Sequence, residues 1–195
     1  LIEIKKTMKT KIQLPFYASI VILFFTVGCM MFKGGFSFGS QENYFQTALY
    51  SSGLPIKIAN TGPWEMGETF LAKSGGKIKS INIKNPELGV KRITIWDTET
   101  RLPIATYSLK IENIKDYHKI FVDFPLVQGK IYTLSFNTVS YYYHELNFKK
   151  LPLSDEHFTL ISTNYKQGHW QQFPEFSTDN IIHGFIDIDF EWAMN

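Results

Sequence analysis

The stretch Gly184-Phe185-Ile186-Asp187-Ile188-Asp189-Phe190-Glu191-Trp192 decides the fold. Ile186, Ile188, Phe190 and Trp192 alternate with Asp187, Asp189 and Glu191, and a period of two marks a strand with one apolar and one polar face. A strand of that kind belongs to an antiparallel sheet that covers a core on one side and meets water on the other. Two further runs repeat the pattern. Ile120, Val122 and Phe124 share one side of 118–124, and Tyr132, Leu134 and Phe136 share one side of 130–137.

Working outward, residues 68–73, 77–84, 90–97, 104–111 and 158–163 are short β-type runs separated by turn residues. Ser74-Gly75-Gly76, Asn85-Pro86-Glu87-Leu88-Gly89 and Asp97-Thr98-Glu99-Thr100 supply the turns, because Pro fixes φ and Gly accepts positive φ. Nothing after residue 32 keeps a helical period, and no internal repeat is present. The reading is an all-β domain over 61–195, an antiparallel β-sandwich of jelly-roll or immunoglobulin-like kind. Composition agrees, since Phe, Tyr and Trp reach 16% in a chain of 195 residues and aromatic residues favour sheets.

The other end of the chain carries a different signal. Lys5, Lys6, Lys9 and Lys11 precede an apolar run over 16–27, the order of a secretory signal peptide. Met8 opens a compact signal of this kind. Thr26-Val27-Gly28-Cys29 resembles the bacterial lipobox, in which the Cys is acylated and becomes the first mature residue; Thr26 stands where Leu is usual. The alternatives are ordinary cleavage and an uncleaved anchor, because 14–32 is a mostly apolar stretch long enough for a core of about 30 Å. Residues 1–28 are read as signal or anchor, and 29–60 as a flexible linker rich in Gly and Ser with a first edge strand at 44–50. Removing 1–28 takes four of the 20 basic and one of the 18 acidic side chains, so the net charge passes from +2 to −1. That balance gives no support to nucleic-acid binding. A single Cys excludes a disulfide framework and a Cys-based zinc site.

Catalytic motifs are missing from the sequence. His118, His144, His157, His169 and His183 have no metal-ligand spacing, and no nucleophile elbow, phosphate loop or dinucleotide fingerprint occurs. Asp187, Asp189 and Glu191 read as the solvated face of their strand, with a Ca²⁺ site as the alternative use of three carboxylates. The aromatic residues are more suggestive. Tyr141-Tyr142-Tyr143 follows the strand ending near Asn137, and Trp170-Gln171-Gln172 lies in a loop opened by Gly168. Aromatic faces flanked by amides stack on sugar rings and bind their hydroxyls. The competing role for these rings is to plug the ends of the sandwich, with Trp170 anchoring its loop.

Several of these runs also resemble, in order, a family described as bacterial domain of unknown function 4082. The resemblance lies in Met66-Gly67-Glu68-Thr69-Phe70 with 77–83, Ile93-Thr94-Ile95-Trp96-Asp97 with Leu102-Pro103-Ile104-Ala105, Phe121–Phe124 with Val127–Leu134, and Gly184–Phe190. Thr100-Arg101 departs from the glycine usual in its hairpin. The resemblance implies an extracellular β-sandwich found beside glycan-active or adhesive modules, with no assigned catalytic residues. It also implies a buried Trp96, although Trp96 has the opposite parity from Ile93 and Ile95. Phe124, Phe136 and Phe190 complete the expected core.

The sequence thus predicts a non-catalytic, membrane-tethered module of the cell envelope that binds a glycan or another surface component. The alternatives are an accessory subunit that binds an envelope protein and a glycan-active hydrolase. No cofactor is expected beyond the Ca²⁺ alternative.

Overall fold

A computed structural model of the chain describes residues 38–45, 55–146 and 151–193. The expected signal or anchor, Cys29 and most of the expected edge strand at 44–50 lie outside those residues. No helix among the described residues is long and apolar enough to cross a membrane.

Twelve strands are present among the described residues: β1 (Phe38–Gln41), β2 (Lys57–Ala72), β3 (Gly76–Lys84), β4 (Gly89–Asp97), β5 (Pro103–Ile111), β6 (His118–Leu126), β7 (Ile131–Glu145), β8 (Leu153–Ser154), β9 (Phe158–Gln167), β10 (Phe176–Thr178), β11 (Ile181–His183) and β12 (Phe185–Ala193). They form two antiparallel sheets. Sheet A runs β1-β12-β3-β6, and sheet B runs β10-β9-β2-β7-β4-β5, with β11 on β7 and β8 on β9. The chain passes repeatedly from one sheet to the other, so neither sheet forms without its partner. This is the antiparallel β-sandwich that the alternation of β12, β6 and β7 calls for.

The core lies between the sheets. Phe70, Phe136, Phe158 and Phe190 are fully buried and are among its largest members. Phe158 of sheet B meets Phe190 of sheet A edge-on, ring centroids 4.7 Å apart, and Tyr132 links Phe124 at 6.1 Å to Phe70 at 5.9 Å. On β6, Ile120, Val122 and Phe124 face the core and are half-buried, as an edge strand allows.

The structure corrects two expectations. The sandwich begins well before residue 61: β1 pairs with β12 from Phe38↔Ala193 to Gln41↔Phe190, and Tyr44 and Phe45 are buried core residues. Part of the expected linker is therefore domain. The second correction concerns β12, whose polar face is not solvated. Asp187 is 0% and Asp189 8% exposed, because the chain after β1 lies along them and donates amides: Asn43 N–H to Asp189 Oδ1 at 3.0 Å and Phe45 N–H to Asp187 Oδ1 at 2.8 Å.

Candidate functional site: a pinned loop and an aromatic cleft

Sheet B has an outer face as well as a core face. Glu65 and Thr69 of β2, Thr133, Ser135 and Asn137 of β7, and Arg92, Thr94 and Trp96 of β4 point there by alternation. Most of these side chains are nevertheless buried: Glu65, Ser135, Thr94 and Thr133 are fully so. The segment from Gly168 to Pro174 covers them and is tied to them. Asn137 Nδ2 donates to Gly168 O at 2.9 Å and Arg92 to His169 O at 3.2 Å. Gln171 Nε2 donates to Thr106 Oγ1 at 2.7 Å and Thr94 Oγ1 at 3.2 Å. Asn164 Nδ2 donates to Pro174 O at 3.1 Å, and the Phe173 ring meets Trp96 edge-on at 5.8 Å.

Below the loop, the polar groups pair with one another, with Arg92 Nε left without a partner among the described residues. Arg92 reaches Glu65 Oε2 at 2.7 Å, Ser135 donates to Glu65 Oε1 at 2.6 Å, and the Trp96 indole N–H donates to Ser135 at 2.8 Å. Burial pushes the Glu65 carboxyl upward, against the opposing pull of Ser135, Arg92 and Asn137. Trp96 is 2% exposed. It is buried on the outer face rather than in the core, beneath Phe173.

This loop carries three of the residues singled out from the sequence. Trp170 is 82% exposed. Anchoring is the work of Phe173, while the Trp170 indole stands in solvent. Gly168 has φ +142, which lets the chain turn away from β9. Gln171 spends its amide N–H groups on Thr94 and Thr106, and Gln172 donates to Gln167 O at 2.7 Å; the amide oxygens remain as acceptors.

The tyrosines are elsewhere. Residues 141–143 do not leave the strand at Asn137 but continue β7, which runs to Glu145. Tyr141 and Tyr142 are 9% exposed. Tyr142 stacks on Phe185 at 5.5 Å and its hydroxyl donates to Ile114 O at 3.0 Å. Tyr141 lines a cleft of about 290 Å³ with Trp64, Met66, Tyr165, Ile181 and His183, and Tyr143 stands beside it, 6.2 Å from Tyr141 and 6.4 Å from His183. Sequence reasoning missed Trp64, Tyr165 and His183, which lie far apart in the chain. The pairings Met66↔Tyr165 and His183↔Tyr143 bring them together.

The carboxylates of β12 are committed to protein donors. Asp189 receives Ser80, Asn82 and Lys119 as well as Asn43, Asp187 receives the amides of Phe45 and Ile188, and Glu191 pairs with Lys77 and Lys79. Among the described residues, no group of three or more His, Cys, Asp or Glu is placed to hold a metal. Comparison with protein-family models and with curated proteins finds no match to this chain.

Proposed function

We propose that this chain is a non-catalytic, membrane-tethered module of the bacterial cell envelope that binds a glycan through Trp170. The observation that carries the reading is an indole 82% exposed on a loop hydrogen-bonded to five side chains of sheet B. Trp offers the largest flat apolar face among the side chains, and its N–H edge remains polar. The loop that carries the indole is already held, so little beyond the two side-chain torsions of Trp170 has to order when it stacks on the apolar face of a sugar. The free oxygens of Gln171 and Gln172 accept from sugar hydroxyls beside the ring. The tether rests on the basic and apolar order of 1–28 and on Gly28-Cys29, and the envelope setting also rests on the resemblance to domain of unknown function 4082.

A second reading, an accessory subunit for another envelope protein, draws support from Phe121, which is 79% exposed on the outer face of edge strand β6. A glycan array probed with the purified chain separates the two. Retention on a defined class of glycans supports sugar binding. An array without signal, together with a protein partner whose capture Phe121→Ser abolishes, supports the accessory role.

A further inference from the structure

We infer that the cleft between Trp64, Tyr141, Tyr165 and His183 is a second binding site, an aromatic box for a methylated ammonium group. Its walls meet at steep angles, as those of a box do and those of a stack do not. Trp64 and Tyr165 cross at 82° with centroids 6.0 Å apart, Tyr141 and His183 at 73° and 5.8 Å, and Tyr165 and His183 at 66° and 5.4 Å. The polar edges of two walls are already committed: the Trp64 indole N–H donates to Thr61 Oγ1 at 3.1 Å, and the Tyr141 hydroxyl lies 3.4 Å from the same oxygen. Ring faces and the Met66 side chain are what these two walls offer a ligand, beside His183 Nδ1, which is buried without a hydrogen-bond partner among the described residues.

The lining selects among cations. Among the described residues no carboxylate lines the cleft, so they offer a divalent metal, which demands several oxygens, nothing to bind. A quaternary ammonium is weakly hydrated and is attracted to aromatic faces without hydrogen bonds. The volume of about 290 Å³ admits a trimethylammonium head. Burial takes the His183 imidazole down to about 4, so this wall is neutral at physiological pH and does not repel a cation. Just outside, Lys57 Nζ already stands 5.9 Å from the centroid of Tyr143. The site is independent of the Trp170 loop, because Trp64 and Met66 point to the opposite side of β2 from Glu65.

The test titrates the full chain with choline and with its neutral isostere 3,3-dimethylbutan-1-ol, following the Trp64 and His183 ring signals by nuclear magnetic resonance. The expected result is a saturable choline shift, with the isostere at least about tenfold weaker. Trp64→Leu and Tyr165→Leu each abolish the shift, and Trp170→Ala leaves it unchanged. Thermal midpoints identify a variant that fails to fold, and the comparison of choline with its isostere on the unaltered chain stands without any variant. No saturable shift at high millimolar choline, or equal binding of the isostere, overturns the inference.

Discussion

Glu68 lies on the same side of β2 as Met66 and Phe70, a carboxylate at 1% exposure between two core residues. Thr163 Oγ1 donates to Glu68 Oε2 at 3.1 Å. Burial, and secondarily the charge of Asp187, pushes the carboxyl well above its ordinary value of 4.5. The folded chain therefore holds a proton that the unfolded chain releases, and stability is lost as pH rises above that value. Glu68→Gln keeps the acceptor for Thr163 and removes the titration. Its thermal midpoint should exceed that of the unaltered protein at pH 8, with the difference shrinking toward pH 4 in a pH series of unfolding scans. A variant less stable at both pH values would show that the carboxylate is needed as a charge. Neither Glu68 nor Asp187 was legible as buried from its strand alone, because alternation reports a face and not what covers it. Trp96 shows the same limit: β4 turns it away from the core, and a loop more than 70 residues later in sequence buries it.

The loop over sheet B depends on Arg92. Its guanidinium joins the Glu65 carboxylate to the His169 carbonyl, so Arg92→Ala leaves Glu65 buried without its cation. Removal of one partner of a buried pair costs about 3–5 kcal/mol, and the partial exposure of Arg92, 28% of its side chain, places this variant at the lower end. Chemical denaturation measures the loss. The same variant should weaken glycan retention although Trp170 is intact, because the loop is no longer held; unchanged retention would mean that Trp170 does not need its platform. At this scale the sequence was informative wherever alternation was regular. The cores of β3, β4, β5, β6 and β12 fall within a residue or two of the runs read from the sequence. It misled where regularity breaks. The run read over 68–73 is only the end of β2, which starts at Lys57 and passes Gly62-Pro63 with a register shift between Asn60 and Trp64. On the facing strand, Thr138–Ser140 reads as an end, although Glu87 Oε2 accepts from Thr138, Val139 and Ser140 and keeps β7 going. The aromatic cleft was hidden for this reason, since both of its long strands extend past their apparent ends.

For the whole molecule, the sandwich needs its first described strand. Tyr44 and Phe45 are 3% and 2% exposed, and their rings reach Phe158 at 4.7 Å and Phe70 at 5.2 Å. Loss of a buried aromatic costs about 3–5 kcal/mol, so a chain starting at Thr61 lacks two such contributions, β1 and the first part of β2. It should unfold far below the midpoint of a chain starting at Phe38, as circular dichroism would record; equal midpoints would contradict the boundary at Phe38. In the proposed role, the sandwich presents Trp170 on a held loop as its recognition surface. The direct test is Trp170→Ala, with glycan retention and the unfolding midpoint measured on the same preparation. Retention should be lost while the midpoint moves by only a degree or two, as expected for an exposed side chain. Full retention, or a loss of several kcal/mol in stability, would contradict it.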